Sequence, residues 1–266
     1  MKKENRAIRA FKNFIVKYTP RWVFSGYKIV RHFGTVLKYR RKTGTNLKCN
    51  ICQASSGTFA PYNGRPNRMC PYCTSLERHR LLFHYLQTQT SIFKSAAQVL
   101  HFAPEKSLAV PLSNAQGSSY VTADLMIQFL PGIEVKPQHK MSITKIQFPD
   151  STFDYMICNH VLEHVPDDQA AMDEAYRVLK PGGKFLVQVP INYESTMTLE
   201  DPTFDRLQRR AHYGGQHHLR YYSAQALIAK LNATGFATEA YTADTDLNTE
   251  LHGIDPDEIQ FVAVKP

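Results

Sequence analysis

Two groups of residues in this sequence have types and spacings that do chemistry. Four of the five cysteines form two C-x2-C pairs, Cys49 with Cys52 and Cys70 with Cys73, separated by seventeen residues. Each pair delivers two thiolates from one tight turn, and two pairs at this distance suit a tetrahedral zinc site. Cys49, Cys52, Cys70 and Cys73 are therefore the expected ligands of a structural zinc. Iron in the same geometry and redox-active thiols are the rival uses. A closed four-sulfur shell has no open coordination position, so such a zinc folds its module without taking part in a reaction. The second group is HVLEH, residues 160–164. On a continuous helix, H-x-x-E-H would set two histidines and a glutamate around a hydrolytic zinc. Here the run begins at the tip of an apolar strand, and Pro166 disfavours helical geometry at Val165. The corner then reads as His160 at a strand end, with Glu163 and His164 in the turn behind it.

The elements that must position these groups follow from the apolar pattern. Residues 76–90 read as a helix with Leu76, Leu82, Phe83 and Leu86 inward. From about residue 95, strands alternate with helices. Apolar strands fall at 97–103, 118–125, 153–159 and 184–190. A helix lies between the last two, with Asp167 or Asp168 as N-cap and Lys180-Pro181-Gly182-Gly183 as its stop. A second helix over 223–235 is opened by Ser223 and closed by Gly235, and strands at 235–243 and 258–266 complete the chain. This alternation argues for a mostly parallel sheet covered on both faces. The expected organisation is a basic helical segment over 1–46, a zinc-ribbon-like module with its linker helix over 47–92, and an α/β domain over 93–266.

Composition bounds the partners. With 43% hydrophobic and 21% charged residues among 266, the chain is globular and long enough for a sizeable core. It contains no apolar run of about 18 residues, and charges interrupt every apolar stretch near the N-terminus. A cytoplasmic location is expected, with reduced thiols, so metal ligation is favoured over disulfides. The net charge of +9 is uneven: residues 1–48 hold 14 of the 32 Lys and Arg but one acid, Glu4, giving +13. The remaining 18 basic and 22 acidic residues give −4. The basic segment reads as two amphipathic helices parted by Pro20, with Ile8, Phe11 and Ile15 on one face. Ile29, Val30, Phe33, Val36 and Leu37 form the other. Trp22, Phe24 and Tyr27 suit an interface, so residues 1–46 could lie on an anionic membrane surface at the inner face. Binding RNA and packing on the body are the other readings.

The stretch from Ile143 to Pro190 carries a resemblance. Phe148-Pro149-Asp150, then Phe153-Asp154 opening a strand, Leu162-Glu163-His164 after it, Glu174 and Arg177 on the next helix, and the Leu179-Lys180-Pro181-Gly182-Gly183 turn stand in order. Together they resemble class I S-adenosylmethionine-dependent methyltransferases, most closely the methyltransferase-11 type. The resemblance implies a Rossmann-like, mostly parallel seven-stranded sheet with helices on both faces and a C-terminal antiparallel hairpin. It also implies S-adenosylmethionine as cofactor. Independently of the name, ligands of such sheets bind beyond the carboxyl ends of the strands, where an acid can accept ribose hydroxyls. The resemblance carries that role to Asp124. It carries cofactor contacts to the loop His101, Phe102, Ala103 and Glu105, to Ser142 and Ile143 beside adenine, and to Asn159. The loop departs from the family pattern: the acid position holds His101, and the three glycine positions hold Ala103, Glu105 and Ser107. Each added side chain takes space where backbone would approach a ligand. Glu105 could instead meet the positive charge of the cofactor.

Methyl transfer has no universal catalytic motif, since alignment does most of the work. His160 is the expected base for an acceptor hydroxyl, and His218, in Gln216-His217-His218-Leu219, is the second choice. The first functional expectation is O-methylation of a sugar, glycan or other small or lipid-linked acceptor. The second is an RNA methyltransferase using the zinc module for RNA. Against it stand the acidic main domain and a strand end reading Asn159-His160-Val161-Leu162 without a base-methylation motif. The third is a non-enzymatic adaptor with a degenerate cofactor loop.

Overall fold

The computed structural model describes residues 21–125, 135–243 and 247–266, with side-chain surroundings from Val30 onward. The first expected helix, with Ile8, Phe11 and Ile15, lies outside the described residues, as do the surroundings of Trp22, Phe24, Tyr27 and Ile29. The described chain opens with α1 (Arg21–Arg40). The cysteine module follows as two small antiparallel ladders, β1 (Leu47–Lys48) with β2 (Ser55–Ser56) and β3 (Ala60–Tyr62) with β4 (Arg65–Met69). Then come α2 (Glu77–Thr88), β5 (Gln98–Phe102), α3 (Lys106–Ser113), β6 (Ser119–Asp124), β7 (His139–Lys140) and β8 (Phe153–Asn159). The last part contains α4 (Asp168–Val178), β9 (Leu179–Gln188), β10 (Leu199–Glu200), α5 (Arg206–Tyr213) and β11 (Arg220–Tyr221). It closes with α6 (Ala224–Thr234), β12 (Ala237–Tyr241), α7 (Thr249–His252) and β13 (Gln260–Val264).

Seven strands form one sheet in the order β12-β13-β9-β8-β5-β6-β7. The run from β9 to β7 is parallel, and β13 and β12 join it antiparallel. This is the sheet the alternation of elements and the resemblance imply. Its central strands are near-continuous apolar runs because both faces are covered. On one face Met172, Ala175, Leu227 and Leu231 of α4 and α6 pack against Met156, Cys158, Phe185 and Phe261. On the other, Leu82, Phe83, Tyr85 and Leu86 of α2 pack with Leu108 and Leu112 of α3 on Val99, Ile157, Leu186 and Val262. The helix that follows the second cysteine pair is thus a covering layer of the main sheet.

Local signals explain the element ends. The Asp167 side chain accepts from the Ala170 amide, 2.9 Å, and opens α4. Ser223 does the same for α6 through the Ala226 amide, and Gly235 closes it at φ 115°. Arg177 pins the turn before β8: it donates to the Phe148 and Ile146 carbonyls and to Glu174 and Asp150. The helix expected to run to Lys180 stops at Val178, and the strand expected from Lys184 starts at Leu179. Leu179 already pairs with Phe153 before a bulge restores the register at Tyr155 and Lys184.

The amphipathic face expected on α1 is divided. Val36 is buried with Ala60, Met69 and Leu76 of the module, whereas Val30, Phe33 and Leu37 are exposed. At about 100° per residue, the latter three share a stripe from which Val36 is rotated away. The segment from Ile191 to Tyr222, for which the sequence pattern gave no element, folds outside the main sheet. There β10 pairs with β11, and α5 is capped by Asp205.

Candidate functional site

The four cysteines are brought to one point. Their sulfurs lie within 4.8 Å of one another, with Cys49 and Cys73 3.6 Å apart and Cys52 and Cys70 3.7 Å apart. A disulfide needs about 2.05 Å, and all four are free thiols. Tetrahedral zinc at about 2.3 Å from each sulfur requires sulfur–sulfur separations of about 3.8 Å, so the donors fit a zinc ion. The two pairs fold alike. The residue after each pair, Gln53 or Thr74, sits at positive φ and returns its amide to the first cysteine's carbonyl. Contacts with the other three cysteines push the Cys70 thiol up, while hydrogen bonds from them hold Cys49 down. Four thiolates at this spacing need a cation among them. Ser75 supports the sulfurs, lying 3.3 Å from Cys49 and 3.2 Å from Cys73. Arg80, fully buried, donates to Ser75 and reaches the Arg68 and Gly253 carbonyls, so one guanidinium ties the module to the C-terminal part of the chain.

At the carboxyl edge of the sheet, β5, β6 and β8 end side by side, with Phe102 paired to both Ala123 and Cys158. Ala103, Asp124 and Asn159 therefore stand next to one another around the β5–α3 turn. Ala103 has φ 50° and donates its amide to the Ala123 carbonyl, 2.9 Å. The backbone takes the left-handed step a glycine would give, with an alanine carrying it. Asp124, half-buried, accepts the Met141 amide on its carbonyl and starts the segment leading to Ser142 and Ile143. Ser142 turns to Thr144, 2.8 Å, and Ile143 is buried.

The side chains that replace the glycines are drawn inward. Ser107 is buried and lies 3.1 Å from His79 Nδ1, and His101 is fully buried beneath the loop. Glu105 Oε2 is 2.9 Å from His101 Nε2 and 3.4 Å from Asn159 Nδ2; its Oε1 is 3.3 Å from His79 Nε2. His79 Nδ1 accepts the Leu76 amide, so Nε2 carries the proton and faces the carboxylate. His101 Nδ1 is 2.9 Å from the Tyr120 hydroxyl. Burial opposes ionisation of Glu105, but His79 and His101 outweigh it and hold the carboxyl well below the usual carboxylate range. Burial also lowers the His79 pKa. His79 belongs to α2, four residues after Ser75, and was not among the site residues expected from sequence. Its only sequence signal is a polar residue amid the inward positions of the linker helix.

The HVLEH corner is a strand end and a 3-10 turn, Leu162–His164. His160 is at φ 53°, donates its amide to the Gln188 carbonyl and leaves its ring partly exposed. Its Nδ1 is 3.2 Å from Glu163 Oε1. Glu163 is buried, and neither of its oxygens receives a donor in hydrogen-bonding geometry. Burial would raise its pKa; the neighbouring His160 and His164 outweigh this and lower it. His218, expected at the acceptor side, lies against this corner, its ring 4.8 Å from that of His164 in a T-shaped contact.

The comparisons with known proteins agree with this architecture. A family model described as a methyltransferase domain matches residues 71–241, well over half of the chain. The chain is 39% identical over 77 residues to a sterol 4-C-methyltransferase of Caenorhabditis elegans, covering 29% of this chain and 20% of the relative. It is 54% identical over 39 residues to a demethylmenaquinone methyltransferase of Geobacillus, covering 15% of this chain and 17% of the relative. The matched stretches thus span about a fifth of the length of these curated relatives. The solved structure of the YcgJ protein from Bacillus superposes with a TM-score of 0.50 at 17% identity, over 70% of this chain and 98% of that one, which speaks to the fold. The parallel sheet with its antiparallel edge and the match across residues 71–241 place this chain in the methyltransferase-domain family.

Proposed function

We propose that the chain is an S-adenosylmethionine-dependent methyltransferase that methylates an oxygen of a sugar, glycan or other lipid-linked acceptor, with a structural zinc in the cysteine module. The observation that carries the reading is the turn at Ala103 beside Asp124. A left-handed backbone step at the carboxyl end of β5, bonded to β6, leaves a half-buried carboxylate at the neighbouring strand end. That suits a nucleoside bound across the switch point of an open α/β sheet. The inward anchoring of Glu105 and Ser107 removes the steric objection raised by the missing glycines and argues against a degenerate loop.

The cofactor supplies an electrophilic methyl group on a sulfonium centre. The chain's part is to hold and align. Asp124 would accept the ribose hydroxyls, Ser142 and the Ile143 amide would flank adenine, and the Glu105 carboxylate would set a negative field under the loop. His160 would take the acceptor proton through Nε2, since Nδ1 faces Glu163. The names of the relatives, a sterol 4-C-methyltransferase and a demethylmenaquinone methyltransferase, support the lipid part of a lipid-linked acceptor and not the choice of oxygen over carbon. So do the exposed Tyr193, Met197, Leu199 and Leu207 of the segment between β9 and α6, with Arg206 and Arg210 beside Leu207. The stripe Val30, Phe33 and Leu37 on basic α1 suits contact with an anionic bilayer. Among the described residues no helix is long and apolar enough to cross a membrane.

Calorimetry with S-adenosylmethionine tests the reading. The parent chain should bind saturably, and Asp124→Ala should weaken binding by at least ~10-fold, the loss of hydrogen bonds to two ribose hydroxyls. A parent chain that binds none refutes it. Flotation with vesicles containing anionic lipid, and loss of flotation in a Phe33→Asp, Leu37→Asp double variant, tests the membrane part.

A further inference from the structure

The corner behind His160 gathers a second set of metal-type donors, and the methyl-transfer reading makes no use of it as such. One ligand atom each from Glu163, His164 and His218 lie within 4.8 Å of one another. They come from two elements far apart in sequence, the 3-10 turn after β8 and the loop before β11. The amide of Leu219 clamps that loop to the Glu163 carbonyl, 2.7 Å. His164 Nδ1 is 3.1 Å from the His217 carbonyl, and His218 Nδ1 is 2.8 Å from the Tyr213 carbonyl. A carbonyl only accepts, so both Nδ1 atoms carry hydrogen and both neutral rings keep a lone pair on Nε2. Backbone carbonyls that fix the histidine tautomer in this way are the usual outer support of metal-bound imidazoles.

Glu163 supplies the independent observation. Its side chain is 1% exposed and neither oxygen meets a donor in hydrogen-bonding geometry, with His160 Nδ1 3.2 Å and His164 Nε2 3.9 Å from Oε1. A buried carboxylate beside the Nε2 lone pair of His164 is stabilised by a cation between them. Space for the second imidazole is provided by Gly215: a Cβ there would fall 2.5 Å from the His218 ring. Two imidazoles and one carboxylate form a donor set that suits first-row divalent metals and leaves coordination positions open.

We propose that Glu163, His164 and His218 bind one divalent transition-metal ion whose open positions face the side where His160 stands. The ion-binding part stands on these residues alone; that an acceptor oxygen occupies an open position rests on the methyl-transfer reading. The rival reading is that no ion binds and the His160 imidazole, 3.2 Å away, is the partner of Glu163.

Cobalt(II) titration of the full chain, with zinc retained at the cysteines, decides between them. Calorimetry and visible absorption should show one saturable equivalent with ligand-field bands of nitrogen and oxygen donors and no thiolate charge-transfer band. His218→Ala and His164→Ala should each weaken that binding by at least ~10-fold with circular dichroism unchanged; if His218→Ala does not fold, the more exposed His164→Ala carries the test. The proposal is overturned if no second equivalent binds, if a thiolate band marks the cobalt, or if both variants bind as tightly as the parent. S-adenosylmethionine binding is measured on the same samples. Its absence with cobalt bound removes the methyl-transfer reading alone, and its presence without cobalt removes the metal site alone.

Discussion

The cysteine cluster and the Glu163–His164–His218 corner are both sets of metal-type donors, and they are built in opposite ways. In the cysteine module each pair of sulfurs comes from one turn, and Gln53 and Thr74 close the two turns with the same backbone bond. In the corner, two donors come from one turn and the third from a loop 54 residues further on. The cysteines sit over a buried guanidinium, Arg80, that offsets thiolate charge through Ser75. The corner has a buried carboxylate facing the edge of the sheet and partly exposed imidazoles. A closed shell resting on a cation suits structure, whereas an open set beside a strand end suits ligand exchange. The contrast teaches that donor type alone does not separate a structural site from a reactive one; closure and the charge behind the donors do.

The largest test of this comparison is Cys70→Ser. It should cut the zinc content measured by elemental analysis sharply and destabilise the chain by several kcal/mol, because metal binding at such a site is folding free energy. If the thermal melt is unchanged, the cluster is not structural. Next, Arg80→Leu should cost about 3–5 kcal/mol, since it removes the charge from a buried network and takes the guanidinium donor from the Arg68 and Gly253 carbonyls. Chemical denaturation reads this loss. A smaller effect is expected from Gly215→Ala. The added methyl must displace the His218 ring, at a stability cost of about 1–3 kcal/mol. It should also weaken cobalt binding at the corner while leaving the cysteine zinc in place, which two-site metal analysis would show.

The smallest effect concerns His79, which joins the helix after the cysteine module to the loop between β5 and α3. Burial lowers its pKa, so between that value and the ordinary imidazole value of about 6.5 the unfolded chain binds a proton that the folded one does not. Stability therefore falls as the pH drops below about 6.5. Glu105, held well below the carboxylate range, adds a further loss below about 4.3 as the unfolded carboxyl takes up a proton. In His79→Asn the first loss should disappear, reducing the slope between pH 7 and 5 by at most about 1 kcal/mol per pH unit. Thermal melts across that range check it; parallel curves for variant and parent would assign the acid sensitivity elsewhere.

Much of the architecture was legible because its signals are local. Asp167, Ser223 and Gly235 cap helices through atoms a few residues away, and FDYMICN becomes a strand over the span its apolar run indicates. The pairing of Phe153 with Leu179 was not legible, because a proline–glycine turn can be either the end of a helix or a bulge within a strand. Nor was the segment from Ile191 to Tyr222: its strands are two residues long, and α5 has no repeating apolar face. On α1 the apolar stripe was visible, but which side of it docks depended on where Ala60, Met69 and Leu76 lie.

The sequence by itself determined the fold class and the four cysteines as a group, along with the acid Asp124 at a strand end. These follow from repeats of two and 3.6 residues and from the reach of a single turn, which the order of residues encodes directly. Tertiary structure alone decided that His101, Glu105 and Ser107 turn inward toward His79, and that His218 stands beside Glu163 and His164 while His160 turns its Nδ1 to Glu163. Those contacts join residues dozens of positions apart. Their geometry is fixed by how helices and loops pack on the sheet, and no local spacing records it.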